Sequence, residues 1–342
     1  FQLWQMVRNH ETTRQRDYKT MSDFELLLKT RKLVLDGAMG TMILNEKLSS
    51  DDYLHGIVPE DGFDMQNIDK ENITFNCDLL NISRPDIIAN IHNCYLSAGA
   101  DIITTNTFGA NSISQEKYGL SHLVPCMNRN AIRIAKKSVS LFSTVERPRF
   151  IAGCLGPIDM KHIDNEVATN AYYEQIANLM FSDDGNRENS GCDVFIVESI
   201  MDLRCANCAN EAIQRWNEEN KMNVPAIFSA VLADEKGNLF SSETIDDFLS
   251  FANRIKPFGI GLNCSLGPKH LKRFIDKLCD SFDGIISFAP SLCLPNDDCN
   301  LYDIEFKDVM SDVCNLNNVK ILGGCCGTTP KHINIIANLI ST

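Results

Sequence analysis

Three cysteines in the C-terminal third of the chain have the types and spacing that best predict chemistry. Cys325 and Cys326 are adjacent in the stretch GGCCG, which follows an apolar run, and Cys264 ends a second apolar run, FGIGLNC. Adjacent cysteines rarely pair, because the intervening peptide strains a disulfide. Thiolates are good Zn²⁺ ligands, and three protein ligands leave one tetrahedral position for a reacting group. The trio therefore predicts a reactive zinc site; without Cys264, a tight turn with incidental cysteines would be the better interpretation.

Eight short apolar runs predict the strands that must bring these cysteines together. They are rich in Ile, Val, Leu and Phe without clean alternation, as is typical of strands buried on both faces. The runs span residues 32–37, 100–108, 149–154, 193–199, 226–231, 258–264, 284–290 and 319–325. Amphipathic segments separate them. This alternation predicts an α/β fold, a single (β/α)8 TIM barrel with the zinc site at the C-terminal mouth of the strands.

An open, doubly wound sheet is the alternative architecture. Such a fold usually has a glycine-rich phosphate loop after its first strand, with the pattern G-x-G-x-x-G. The first predicted strand is followed by DGAMGT, which does not fit that pattern. The barrel is therefore favoured.

Further candidate site residues follow the predicted strands, at the end where barrel enzymes carry their chemistry. Glu198 ends the run DVFIVE and has the charge to bind a substrate ammonium group, unless it is a solvated strand end or pairs with a lysine. Backbone N–H groups in the turn after the first predicted strand can donate hydrogen bonds to a substrate carboxylate, although a simple Asp-Gly turn fits equally well. That turn consists of Asp36, Gly37, Ala38 and Met39. The same reading places Thr105 and Asn263 at strand ends.

Other metal-ligand types have a simpler interpretation. Cys205 and Cys208 form the motif CANC, whose spacing is that of redox or zinc-ribbon pairs. The motif lies inside a strong helical pattern and has no second C-x-x-C partner, so we expect it to serve helix packing. His92 and His332 also lie in predicted helices, as packing or surface residues.

Composition limits the partners and the compartment. The chain has 342 residues and a formal net charge of −13, which argues against nucleic acid or an anionic membrane as the main partner. No apolar run approaches the ~20 residues that span a bilayer. The 14 cysteines come without a visible signal peptide, so we expect free thiols in a reducing compartment, the cytoplasm.

The predicted domain organisation is simple. Residues 1–20 form an N-terminal extension of uncertain origin, with a modest basic excess and no clear periodicity. From Met21, the sequence MSDFELLLKTRKLVLDG is typical of a helix that leads into a strand. Residues 21–342 are therefore predicted to form the barrel domain.

Several stretches resemble the homocysteine-binding domain of cobalamin-dependent methionine synthase, within the homocysteine S-methyltransferase family. They are VLDGAMGTMI (34–43), the long block at 78–120, AGCLGP (152–157), GLNCSLGP (261–268) and ILGGCCGTTPKHI (321–333). The resemblance runs from about Met21 to the C-terminus. It implies a zinc-dependent methylation of the homocysteine thiol that gives methionine, with Cys264, Cys325 and Cys326 as the zinc ligands.

The resemblance also implies substrate-binding roles and a methyl donor. Glu198 would bind the homocysteine amino group, the turn 36–39 would lie against the amino-acid moiety, and Asn263 and Thr105 would line the pocket. Because the chain ends one helix after GGCCG, methylcobalamin is expected to come from a cobalamin- or folate-binding module or partner protein. The alternatives are a standalone methyltransferase using S-methylmethionine or a similar small donor, and a non-catalytic homocysteine- or zinc-binding subunit.

Overall fold

Eight parallel strands form one sheet in the computed structural model, which describes residues 22–57, 69–181, 191–264, 266–292 and 303–341. The predicted extension at residues 1–20 lies outside the described residues. The strands are β1 (Leu33–Val34), β2 (Ile102–Thr104), β3 (Phe150–Leu155), β4 (Val194–Ile200), β5 (Ala226–Ala230), β6 (Gly259–Cys264), β7 (Ile285–Pro290) and β8 (Val319–Leu322).

The strand order confirms the predicted barrel. Hydrogen-bonded neighbours follow the order β1-β8-β7-β6-β5-β4-β3-β2, and every pair is parallel. The first and second strands approach each other at a single bridge between Leu35 and Ile102, where the Asp36 N–H donates to the Ile102 carbonyl at 3.0 Å. The sheet is thus a nearly closed barrel rather than the open sheet of the alternative.

Helices surround the strands in the predicted alternation. They are α1 (Asp23–Thr30), α2 (Met39–Asn45), α3 (Ser50–Leu54), α4 (Leu80–Ser83), α5 (Pro85–Ala98), α6 (Ser112–Glu116), α7 (Val124–Phe142), α8 (Asn165–Leu179), α9 (Leu203–Asn220), α10 (Ile245–Ile255), α11 (Pro268–Ser281), α12 (Asp303–Cys314) and α13 (Pro330–Ser341). Short 3₁₀ helices span Asn72–Phe75, Cys77–Leu79 and Ser121–Leu123. None of the helices in the described ranges is both long and apolar enough to cross a membrane.

Local sequence signals explain where the first helices begin and end. Ser22 and Glu25 form a reciprocal capping box that starts α1. Pro85 occupies the first turn of α5, where its missing N–H costs nothing. Gly99 ends that helix with φ +108°, in the left-handed region that favours glycine. These signals fix the two helices that flank the first two strands.

The barrel interior is apolar and is covered at its N-terminal end by α1. Alternate positions of the strands supply the inward-facing side chains, which pack with Phe24 and Leu28 of α1. The ring of Phe24 contacts that of Phe150 edge-on, with 5.3 Å between centroids. Inward-facing residues of this cluster are Leu33, Leu35, Ile102, Phe150, Ala152, Val194, Ile196, Ile227, Ala289 and Ile321. Only the opposite end of the barrel is therefore left for a site.

A buried carboxylate fastens the strands near that covered end. Asp101 is fully buried and accepts hydrogen bonds from Arg31 at 2.9 Å, Arg147 at 3.2 Å and Arg149 at 3.3 Å. It also accepts the backbone N–H of Val34 at 3.0 Å. Removing one partner of such a cluster leaves buried charges without compensation.

We expect Asp101→Ala to lower the free energy of unfolding by about 3 kcal/mol, because it leaves the buried guanidinium group of Arg149 without its carboxylate partner. The control is Glu219→Ala, which breaks the exposed pair with Arg215 and should have little effect. Urea unfolding of both variants measures the difference. Equal losses would mean that the buried cluster contributes no more than a surface pair.

Candidate metal centre

The three predicted cysteines lie together at the C-terminal mouth of the barrel. The Sγ atoms of Cys264, Cys325 and Cys326 all lie within 4.8 Å of one another, and those of Cys264 and Cys326 are 3.5 Å apart. Tetrahedral zinc with Zn–S bonds of about 2.3 Å places its sulfurs about 3.8 Å apart. Elsewhere in the described ranges, no group of three His, Cys, Asp or Glu side chains is placed to hold a metal.

The chemistry of the three thiols also fits a cation. Hydrogen bonds with the neighbouring thiols, followed by burial, raise the pKa of Cys325 well above its ordinary value. The pKa of Cys326 is raised to about 11, first by its contact with Cys264. Three thiolates this close repel one another unless a positive charge lies between them. The donor set therefore suits Zn²⁺, which binds sulfur as thiolate.

The seventh strand holds the cysteines of the sixth and eighth strands in register. Cys264 pairs with Pro290 across β6 and β7, and the Cys325 N–H donates to the Pro290 carbonyl at 2.9 Å. The Leu292 N–H then donates to the Cys326 carbonyl at 2.8 Å. Cys264 itself has φ +58°, so its side chain does not continue the alternation of the strand.

The glycines around the cysteine pair serve close packing more than bending. A Cβ on Gly324 would lie 2.5 Å from the Thr328 hydroxyl oxygen, and one on Gly323 would lie 2.7 Å from the Leu35 Cβ. Of the glycines in this motif, Gly327 alone has a positive φ, +81°. Gly323 and Gly324 thus leave room for their neighbours, and only Gly327 adopts a backbone conformation that favours glycine.

Asn263 connects the cysteine cluster with Glu198. Its Oδ1 accepts from the Ser229 hydroxyl at 2.7 Å and from the Ser199 N–H at 3.2 Å. These bonds direct its amide Nδ2 toward Glu198 Oε2 at 3.5 Å and Cys325 Sγ at 4.0 Å. Asn263 therefore fixes the spacing between a carboxylate and the candidate zinc ligands.

Glu198 lies at the mouth without a cationic partner. Among the described residues, no lysine, arginine or histidine forms an ion pair with it, contrary to the alternative of a pair with lysine. Burial of the carboxyl group raises its pKa, and the negative charge of Cys264 adds to the effect. A carboxylate in this environment is suited to bind a cationic group of a ligand.

Sequence reasoning missed one residue that contacts Glu198. Cys154 ends the inward-facing series of β3, and its Sγ lies 2.8 Å from Glu198 Oε1. The signal was available, since this cysteine ends the apolar run RFIAGC at 149–154. Nothing in the sequence indicated that Cys154 would contact a residue of the following strand.

The predicted turn at residues 36–39 is tied to the protein by several bonds. The buried Asp36 carboxylate accepts from the N–H and hydroxyl of Thr104, and burial raises its pKa to about 7. The Ala38 N–H donates to the Thr328 hydroxyl at 3.2 Å, and its carbonyl accepts from the Tyr95 hydroxyl at 3.0 Å. The turn continues through Gly37 to Met39, which begins α2. A substrate role for this turn stays a prediction.

Thr105 directly follows β2. Its side chain is buried and its hydroxyl pairs with that of Thr107 at 2.7 Å. The same oxygen accepts the Cys154 N–H at 3.0 Å. The structure thus connects this predicted site residue with Glu198 through Cys154, and its direct contact with substrate stays a prediction.

A cavity of about 710 Å³ opens beside Glu198. The segments after β3 and β4 and part of α6 form its walls. Apolar side chains dominate, with Lys117 and Lys161 among the lining residues. Glu198 therefore borders this cavity and also contacts Asn263.

The other candidate ligands have the packing roles predicted for them. Cys205 and Cys208 are buried in α9, and Cys205 Sγ lies 3.0 Å from the Tyr172 hydroxyl. His92 is buried in α5, and burial lowers its pKa to about 4. His332 is buried in α13, where its Nδ1 accepts the Thr329 N–H at 3.1 Å.

Comparison with known proteins identifies a matching family and solved structures with a similar fold. The model of a family described as homocysteine S-methyltransferase matches residues 33–340. The fold resembles that of the homocysteine methyltransferase MmuM from Escherichia coli in its metallated form, with a TM-score of 0.67 and 17% identity. The oxidized form of MmuM gives a TM-score of 0.68, also with 17% identity. Each comparison covers 92% of this chain and 98% of the MmuM chain.

The cysteine trio makes a direct prediction about metal content. We expect about one Zn²⁺ per chain, and Cys264→Ala, Cys325→Ala and Cys326→Ala should each abolish tight binding, because two thiolates do not complete the site. Cys205→Ala and Cys208→Ala are matched controls that should keep wild-type zinc content. Elemental analysis of the five purified variants tests this. Equal zinc loss in the controls would show that the wrong cysteines were chosen.

Proposed function

Because this chain belongs to the homocysteine S-methyltransferase family, we propose that it binds Zn²⁺ through Cys264, Cys325 and Cys326 and methylates the homocysteine thiol to give methionine. The observation that carries the proposal is the approach of these three Sγ atoms to within 4.8 Å of one another. Three sulfur ligands leave a fourth position for the thiol that is to react.

The reaction needs the substrate as a thiolate. A free thiol has a pKa near ~8.5 and is mostly protonated at neutral pH. When bound, Zn²⁺ supplies the positive charge that keeps a coordinated thiol deprotonated. The three cysteine thiolates donate enough negative charge to keep the substrate sulfur nucleophilic. A new S–C bond forms as the bond between the methyl group and its donor breaks, and the donor keeps the electron pair of that bond. The transfer lowers the excess negative charge at the sulfur, which favours the transition state over the bound substrate.

Glu198 and Asn263 orient the other end of homocysteine. With the thiol at the cysteines, the ammonium group falls toward Glu198, whose carboxylate has no cationic partner among the described residues. Asn263 fixes the spacing, because its amide contacts both Glu198 and Cys325. The turn of Asp36, Gly37, Ala38 and Met39 borders the amino-acid moiety, and Thr105 lines the pocket next to Cys154, whose N–H it accepts. The pocket thereby selects an amino-acid thiol.

The proposed methyl donor is methylcobalamin carried by a partner module or protein. Two features support this choice. The five sequence stretches between residues 34 and 333 resemble the cobalamin-dependent branch of the family. Cys326 is exposed at the mouth, so a donor held by another domain can approach the sulfur cluster from solvent. The MmuM comparison, at 17% identity, supports the fold and does not select a donor. The chemistry requires reduced thiols, so we place the protein in a reducing compartment such as the cytoplasm.

The donor can be tested directly with the purified, zinc-loaded chain. We expect methionine to form from homocysteine and methylcobalamin, and much more slowly from homocysteine and S-methylmethionine. Cys326→Ala, which removes a proposed ligand, is the inactive control. Methionine is quantified by mass spectrometry. Faster turnover with S-methylmethionine would assign a small-donor enzyme, and no turnover with either donor would favour a binding subunit.

Glu198→Gln tests the proposed recognition of the amino group. The change keeps the shape but removes a charge-assisted hydrogen bond worth roughly 1.5–3 kcal/mol, so homocysteine should bind about ten- to a hundredfold more weakly. Zinc content should not change. Binding of 4-mercaptobutanoate, which is homocysteine without its amino group, should be almost the same in both proteins.

The control for this variant is Glu211→Gln on the exposed face of α9, which should bind both thiols like the wild type. Calorimetric titration of both thiols into the three proteins gives the affinities. Wild-type homocysteine affinity in Glu198→Gln would remove this residue from the site.

A further inference from the structure

Cys154 holds one oxygen of the proposed ammonium-binding carboxylate. Its side chain is only 2% exposed, and its Sγ lies 2.8 Å from Glu198 Oε1. Burial and the charge of Glu198 raise the pKa of Cys154 well above its ordinary value, so the thiol keeps its proton at neutral pH. The thiol is therefore the donor in this contact and the carboxylate is the acceptor.

The backbone of Cys154 is fixed from three directions. Its N–H donates to the Thr105 hydroxyl at 3.0 Å, and its carbonyl accepts from the Thr107 hydroxyl at 2.8 Å and from Gln175 Nε2 at 3.3 Å. The two threonines follow β2, and Gln175 belongs to α8. A residue held in this way cannot readily turn its thiol away from Glu198.

The second oxygen of Glu198 has another neutral donor. Asn263 Nδ2 lies 3.5 Å from Glu198 Oε2, and the Asn263 side chain is itself held by Ser229 and Ser199. Neutral donors orient a carboxylate without cancelling its charge, whereas a lysine or arginine at either place would compete with a ligand cation. Both oxygens are thus positioned while the negative charge is retained.

We propose that Cys154 is a positioning residue that orients Glu198 for the ammonium group of the substrate, and so increases selectivity for amino-acid thiols over thiols without an amino group. This inference rests on the proposed function, in which Glu198 binds that ammonium group. Cys154 has no direct contact with substrate in this role and acts only through Glu198.

A thiol is well suited to this position. The S–H group is a weak donor, so it sets the direction of the carboxylate while leaving most of the acceptor strength for the incoming N–H groups. Its burial also limits reaction with oxidants, which attack exposed thiolates. The competing interpretation is that Cys154 only fills space at the end of β3, where buried cysteines commonly act as small apolar residues.

The two interpretations differ in a double-mutant cycle on the zinc-loaded protein. We expect Cys154→Ala to weaken homocysteine binding about three- to tenfold and to leave 4-mercaptobutanoate binding unchanged. Cys154→Ser, which keeps a donor at this place, should recover most of the homocysteine affinity. Cys154→Ala combined with Glu198→Gln should bind homocysteine no more weakly than Glu198→Gln alone, because both changes remove one interaction. Calorimetric titration measures each affinity.

A ligand-free measurement tests the hydrogen bond itself. The Raman S–H stretching band of Cys154 is isolated by subtracting the spectrum of Cys154→Ala from that of the wild type. The same subtraction in a Glu198→Ala background gives the band without its acceptor. We expect the wild-type band at the lower frequency, as for a hydrogen-bonded thiol, and a shift to higher frequency when Glu198 is removed.

Several results would overturn the inference. Equal weakening of both thiols by Cys154→Ala, an additive loss in the double variant, or a Raman band that does not respond to Glu198→Ala would each leave Cys154 with a packing role only. Wild-type protein that binds no homocysteine would instead overturn the proposed function and with it the substrate role of Cys154. The Raman comparison would in that case still decide whether the thiol orients Glu198.

Discussion

The register of the last three strands is the constraint on which the candidate metal centre depends. Pro290 of β7 pairs with Cys264 of β6, and its carbonyl accepts the N–H of Cys325 after β8. One residue thus aligns sulfurs that lie 61 positions apart in the chain, since 325 − 264 = 61. A shift of one residue along either strand would reverse the faces on which the side chains lie and separate the cluster. The close approach of Gly323 and Gly324 to their neighbours holds the third strand of this group in place.

A network of hydrogen bonds between polar side chains also fixes the residues around the mouth of the barrel. The Cys154 N–H donates to the Thr105 hydroxyl, the Cys154 thiol donates to Glu198, and the Asn263 amide donates to both Glu198 and Cys325. These residues lie on or shortly after β2, β3, β4, β6 and β8, so the hydrogen bonds connect strand ends around much of the barrel mouth. Under the proposed function, the residues that bind the amino-acid end of homocysteine therefore belong to the same hydrogen-bonded framework as the sulfur cluster.

Much of this architecture could be predicted from the sequence. Eight apolar runs without alternation reveal strands buried on both faces, and strand ends identify residues near the mouth. The direction in which each side chain points was harder to predict. Asp36 and Thr105 were correctly located at strand ends, yet their polar atoms bond to Thr104 and Cys154. Cys154 was missed because its contact depends on the pairing of β3 with β4, which composition and spacing do not encode.

The side chains of Phe24 and Leu28 close one end of the barrel, so a ligand can enter and leave only at the other end. They fill the end opposite the sulfur cluster, so no ligand passes through the axis. Under the proposed function, homocysteine, the methyl group and methionine all share one route. A bulky donor seated over the mouth would trap whatever amino acid lies beneath it. Binding and release must then follow a fixed order. The thiol enters first, the donor covers it, and the donor dissociates before the product leaves.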